Sequence, residues 1–368
     1  MAYLLLFLAL DFLSSVAGHG ALVNPLSRNA IDRSLPWDER SPPQPCICAN
    51  KTAGSAGPNF KEGCDNAQAC YWYSQGCSIG CPSCDSVNGR QQVDLCGRGK
   101  KATINDPNLR TVNRNATAGS KYDIYKHNPW RAPGTAPVVD ACGLAGGTPW
   151  GKWAPEWGNY VNTTFAKHGD YGSKVLRELP SGTTWRIGGH AEVIWQITAN
   201  HGGGYQYRLC PSTEVLSEEC FQKHPLEFVI GRQLLQWNNG TRKAIKGTYV
   251  SKGVFPEGST WAMNPIPPRC LGGGCKEDNE CTPCPGTPGS DCTTCDNTPD
   301  PCFEPPCIEG HQPGICSGNQ PSKWGSVSVV DYLNVPSSLK PGKYVLGWRM
   351  DCEATAQVWS NCADIILN

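Results

Sequence analysis

The chain reads as an all-β protein, a β-sandwich of the immunoglobulin-like or fibronectin-like kind with long disulfide-rich loops, and three observations point that way. From residue 184 onward, short segments alternate apolar and polar side chains with the period of a strand. No long amphipathic helical pattern interrupts them, while 41 glycines and 31 prolines supply turns. The 22 cysteines, an even number, add crosslinks to loop-rich stretches that lack an obvious apolar face.

In chain order, residues 4–10 form an apolar run, followed by Asp11, Phe12 and Leu13 and then by small residues. Val16 and Gly18 stand at the small-residue positions of a signal-peptidase site. The run is too short to span a bilayer comfortably. Residues 1–18 are therefore expected to be a signal peptide, and residues 19–368 a secreted, extracellular protein with no integral membrane anchor. Residues 36–98 carry eight cysteines in turn-rich sequence, where residues 67–74 are the one candidate for a short helix. Residues 101–162 are irregular, with aromatic punctuation from Tyr122 to Tyr160, and read as loops decorating a rigid body.

The rigid body follows. Val193, Trp195 and Ile197 alternate with Glu192, Ile194 and Gln196 in an expected strand at 192–198, and a second is expected at 205–210. Weaker candidates lie at 226–230 and 246–250, and further strands at 327–330, 343–350, 356–359 and 363–367. Residues 269–317 have a different texture, with nine cysteines among prolines and glycines. Because the strand pattern resumes afterward, this segment reads as a cysteine-rich insertion between strands of one sandwich. Cys281-x2-Cys284 and Cys292-x2-Cys295 have a zinc-like spacing, but an oxidising destination and the lack of a nearby intervening histidine favour disulfides.

Lysine plus arginine and aspartate plus glutamate both total 32, so net charge is zero and no basic field points to nucleic acid. Four Asn-x-Thr sequons, at Asn50, Asn115, Asn162 and Asn239, fit an extracellular glycoprotein.

Cleavage after Gly18 would make His19 the first residue, placing a free α-amine and an imidazole on one residue as a chelate for a transition metal. A copper site built this way needs a third nitrogen, and copper suits such donors. The other histidines are His127, His168, His190, His201, His224 and His311. His201 follows the strand expected at 192–198 and precedes Gly202, Gly203 and Gly204, so it would sit at a strand end with room for close approach. His190, after Gly188 and Gly189, is the competing ligand, although it lies before the strand and a turn or hydrogen-bonding role suits it better. His168 could lie on a substrate-facing loop.

Three segments carry a family resemblance: the His19-Gly20 start; Thr198-Ala199-Asn200-His201 with Tyr207-Arg208-Leu209-Cys210 after it; and Gln357-x-Trp359-x-x-Cys362-Ala363-Asp364-Ile365 at the end. Together they resemble lytic polysaccharide monooxygenases, most of all auxiliary activity family 15, and related chitin-binding proteins. The resemblance implies a β-sandwich with a flat copper face that oxidatively cleaves chitin or cellulose at C1 or C4. It also implies an external electron donor and oxygen or hydrogen peroxide as co-substrate. Carried over residue by residue, His19 and His201 are the metal ligands, and Ala199 is the small residue near an axial position. Gln357 is the hydrogen-bonding group beside the site. Trp359 stands where the family has tyrosine or phenylalanine, and it departs from the pattern because an indole offers an apolar wall and no phenol.

Trp37, Tyr71, Trp72, Tyr73 and Trp130 are candidate contacts for a flat polysaccharide, against the plainer expectation that they pack beneath loops. Two other classes remain open on sequence alone: a non-catalytic secreted carbohydrate-binding protein, and an extracellular structural protein organised by its cysteine-rich regions.

Overall fold

The computed structural model describes residues 19–30, 71–75, 127–147, 160, 162–199, 202–237, 242–265, 327–353 and 356–368. In chain order the strands are β1 (His19–Asn24), β2 (Trp72–Gln75), β3 (Leu144–Ala145), β4 (Pro180–Trp185), β5 (His190–Ala199), β6 (Gly204–Pro211) and β7 (Glu227–Phe228). They continue as β8 (Gln233–Trp237), β9 (Arg242–Ile245), β10 (Tyr249–Val250), β11 (Trp261–Met263), β12 (Val327–Asn334), β13 (Gly342–Asp351) and β14 (Gln357–Leu367). The helices among the described residues are short, α1 (Gly172–Val175) and α2 (Glu218–Gln222). The six-stranded sheet runs β1-β5-β12-β8-β9, with β7 on β12. The eight-stranded sheet runs β10-β11-β6-β13-β14-β2-β3, with β4 on β14. All ladders are antiparallel except β4 with β14. The architecture is an all-β sandwich.

The alternation that announced β5 also fixes its inner face. Val193 and Trp195 are fully buried and meet Val329 and Leu333 of β12, together with Tyr205, Tyr207, Leu346 and Trp348 of the facing sheet. Trp195 lies 4.7 Å from the Tyr205 ring and 5.4 Å from Trp348. Burial of such side chains stabilises by about 1.5–3 kcal/mol each. Asp331 interrupts this apolar layer. It accepts from the Tyr207 hydroxyl at 3.1 Å and from Gln233 Nε2 at 2.9 Å, and burial pushes its carboxyl up to about 6.

The outer face of the eight-stranded sheet is ionic. Arg349 donates to Asp351 at 2.7 Å, to Glu218 at 2.7 Å and to the Ala136 carbonyl at 2.9 Å, while Arg208 pairs with the same Glu218 oxygen. Burial alone would raise the Glu218 carboxyl, but the two guanidiniums hold it down to about 2. Ser217 caps α2 by accepting from Cys220 N, which seats Glu218 in the first turn above these arginines. Disulfides Cys142–Cys362 and Cys210–Cys220 tie the covering segments to this face.

Three expectations need correction. The helix candidate at 67–74 fails where it is described: Trp72–Gln75 is strand β2, held between β14 and β3, because both faces of its aromatic pair find packing there. Residues 356–359 and 363–367 are not two strands but parts of β14. The polar gap between them is bridged because Asn361 accepts from Leu22 N and donates to the Ser360 carbonyl, while Cys362 is disulfide-bonded. The segment 246–250 contributes only β10, and β9 precedes it with exposed Arg242, Lys243 and Ala244 before the buried Ile245, a stretch that carries no apolar alternation. Of the cysteine-rich segment 36–98 only residues 71–75 are described, and the insertion 269–317 lies wholly outside the described residues.

Candidate metal centre

Strand ends converge at one end of the sandwich. β1 begins there at His19, paired with Ala199 where β5 finishes. Gly204, the start of β6, is paired with Asp351, the end of β13, and Asp351 is also paired with Val358 near the start of β14. The start of β1 is therefore set against the residue that lies two positions before His201. Asn200 and His201 themselves lie outside the described residues.

The first strand is pinned to both sheets. It is laddered to β5 on one side; on the other, Leu22 N donates to Asn361 Oδ1 at 2.8 Å and Ser27 bridges Ala363 of β14. Arg28 then grips Asp364 through two bonds of 2.9 and 2.6 Å. Gly20 is needed for this closeness: a Cβ there would stand 3.2 Å from Trp348 Cη2 and 3.3 Å from the Gln196 carbonyl oxygen.

Gln357, Trp359 and Asn361 alternate onto the face of β14 that turns toward β1. From the Leu22–Asn361 contact, His19 is three residues back along β1 and Gln357 four residues back along β14, ~10 and ~13 Å. Both therefore reach the same end. Gln357 is 5 % exposed and Trp359 1 % exposed, the latter stacked on Tyr73 at 4.3 Å with an interplanar angle of 21°.

His190 goes elsewhere. It is exposed at the opposite end of β5, paired with Asn334, and nine residues of extended strand separate it from Ala199, ~30 Å. It cannot share a metal with His19. His127 is buried in the loop before Pro129–Arg131, His168 and His224 are half-buried on loops, and His311 lies outside the described residues.

The glycines after His201 do allow close approach, though to protein backbone and an indole. Gly203 has φ +93° and a Cβ there would lie 2.0 Å from the Asp351 carbonyl oxygen; at Gly204 it would meet Trp130 Cη2 at 2.3 Å. Most of the aromatic residues expected as possible polysaccharide contacts are buried instead: Tyr71 4 %, Trp72 0 %, Tyr73 1 % and Trp130 0 % exposed. Trp72 packs edge-on to Tyr160, Tyr73 stacks on Trp359, and Trp130 fills the space above Gly204. Trp37 lies outside the described residues.

A buried ion pair at this end had no signature in the sequence. Arg131 Nη2 lies 3.4 Å from Glu353, both side chains 1 % exposed, and Asn128 Nδ2 donates to the Glu353 carbonyl at 2.9 Å. Cys352 N donates to the Gln357 carbonyl at 3.1 Å and Trp130 N to the Cys352 carbonyl, so the 127–137 segment braces the turn leading into β14. No local pattern links residue 131 with 353; only the fold brings them together.

The donor chemistry would suit copper if the chain began at His19, because that residue would then offer both an amine and an imidazole, with His201 the candidate for a further imidazole. The β1 register supplies the fixed backbone that such a chelate requires. Among the described residues no group of three or more His, Cys, Asp or Glu side chains is arranged to hold a metal, and no helix is long and apolar enough to cross a membrane.

No known protein-family pattern matches the chain, and no curated protein sequence does. Among solved structures it is similar to an AA15 lytic polysaccharide monooxygenase from Thermobia domestica in the Cu(I) state, at 15 % identity and TM-score 0.22, covering 50 % of this chain and 62 % of that one. An AA10 lytic polysaccharide monooxygenase from Streptomyces lividans matches at 10 % identity and TM-score 0.22, over 50 % of this chain and 58 % of that chain. A chitin-binding domain from Burkholderia pseudomallei matches at 11 % identity and TM-score 0.33, over 96 % of this chain and 100 % of that one. The match thus spans about three-fifths of the length of the first two neighbours.

Proposed function

We propose that the chain is a secreted, copper-dependent monooxygenase that oxidatively cleaves a polysaccharide, chitin or cellulose. The observation that supports this most is the register of β1 on β5, with His19 opposite Ala199, two residues before His201. In this reading residues 1–18 are removed, and the His19 amine, the His19 ring and the His201 ring hold the metal. Copper, when bound, supplies one-electron redox chemistry fed by an external donor and by oxygen or hydrogen peroxide.

The protein's own groups position and exclude. The β1 ladder and the Leu22–Asn361 bond keep the amine from fraying, as an untied terminus would. Gln357 offers a hydrogen-bonding amide from the same end of β14, and Trp359, packed on Tyr73, is an apolar wall that keeps water from the protein side. Ala199, paired with His19 on the neighbouring strand, would leave room beside a bound metal.

The mass of the secreted protein should fix its start at His19. Copper-loaded protein given a reductant should then release oxidised oligosaccharides from chitin or cellulose, read by mass spectrometry. Polysaccharide binding without copper retention or oxidised products would make it a non-catalytic carbohydrate-binding protein instead.

A further inference from the structure

The sequon Asn162-Thr163-Thr164 has a geometry that its sequence alone did not reveal. The loop is closed by Thr163: its hydroxyl accepts from Phe165 N and Ala166 N at 3.1 Å each, and its own N donates to the Ala166 carbonyl at 2.8 Å. This turns Ala166 inward, 3 % exposed, and lays Phe165 beneath the Arg177 guanidinium at 5.5 Å. Asn162 and Thr164 are left exposed on the outside of the turn.

The Asn162 amide is also oriented. Its Oδ1 accepts from His168 N at 2.9 Å, and Nδ2 makes no hydrogen bond among the described residues. The loop is firmly seated, because Ala145 N donates to the Asp170 carbonyl at 3.0 Å and Gly169 N to the Ala145 carbonyl at 2.8 Å, finishing the β3 edge of the larger sheet.

We infer that Asn162 carries an N-linked oligosaccharide, an inference that rests on the secretion reading above. The reaction needs a lipid-linked diphospho-oligosaccharide as donor. The bond from Nδ2 to the anomeric carbon forms, the bond from that carbon to the diphosphate oxygen breaks, the amide loses one proton, and no electrons are exchanged. Oδ1 is untouched, so the bond from His168 N survives and the folded loop accommodates the product without rearrangement.

The test is peptide mapping of the full chain secreted from a eukaryotic host, with and without peptide N-glycosidase. The peptide containing Asn162 should carry a glycan that the enzyme removes, leaving aspartate at 162. Asn162→Gln and Thr164→Ala should each abolish it, whereas Thr163→Ala, which keeps the sequon, should retain it. Secreted protein with the Cys142–Cys362 disulfide intact and an unmodified Asn162 would overturn the site while leaving the secretion reading standing. A chain kept in the cytosol with both cysteines as thiols would overturn both.

Discussion

At one end of β5, His190 stands exposed opposite Asn334; at the other, Ala199 lies opposite His19, two residues before His201. Both histidines neighbour glycines, and the glycines show how the two ends differ. Gly188 has φ +74° with only Ser337 Cβ nearby, at 3.8 Å, so it makes an open surface turn. Gly203 has φ +93° with the Asp351 carbonyl oxygen 2.0 Å from its missing Cβ. A glycine beside a histidine therefore says little by itself. What the glycine touches distinguishes a loose turn from a place where strand ends are pressed together.

The largest effect expected is on that contrast. Gly203→Ala should cost several kcal/mol and largely abolish folded protein, since backbone must move as well as strain be absorbed, whereas Gly188→Ala should cost roughly 1 kcal/mol. Urea midpoints and secreted yield measure both; equal costs would break the comparison. Next is the disulfide that fastens β14, with a sequence separation of 220. Replacing Cys142 and Cys362 by serine should cost about 2–5 kcal/mol. Hydrogen exchange should then quicken across 71–75 and 356–368 more than around His190.

Asp331, on β12 opposite Val193, lies between the two ends. Its folded carboxyl is raised by burial to about 6, above its ordinary value, so the neutral form is the one the fold favours. The associated stability is fully present below about pH 4 and is lost as pH rises through about 6, on the order of 2–3 kcal/mol. Relative to the wild type, Asp331→Asn should flatten stability over this window in denaturant titrations at stepped pH. An unchanged slope would assign the charge elsewhere. The smallest effect is at β1: Gly20→Ala should weaken copper binding roughly tenfold while changing the urea midpoint little, because the first residues shift by only a few tenths of an ångström against Trp348 and Gln196.

Much of the fold was legible because alternation survives in β5, β6 and β13, whose inner residues Trp195, Tyr207 and Trp348 form the core. The break at Ser360 to Cys362 hid the continuity of β14, since its polar groups are satisfied by partners far off in the chain: Leu22 for Asn361 and Cys142 for Cys362. The irregular middle concealed burial for the same reason. Trp130 reads as a loop aromatic until Gly204 and Trp261 are brought against it. Of the candidate site, the sequence alone raised the proposal of a terminal histidine as chelate; the pairing of residue 19 with 199 was not legible, because register across 180 residues has no local signal.

The most direct test compares copper titrations of the chain beginning at His19, the same chain with one alanine added before it, and the His201→Ala and His190→Ala variants. The account predicts one copper bound through three nitrogens, as read by electron paramagnetic resonance. The alanine extension and His201→Ala should lower affinity at least about a hundredfold, nearly 3 kcal/mol, with His190→Ala unchanged. Equal affinity with the extended terminus, or loss of copper from the His190 variant alone, would contradict it.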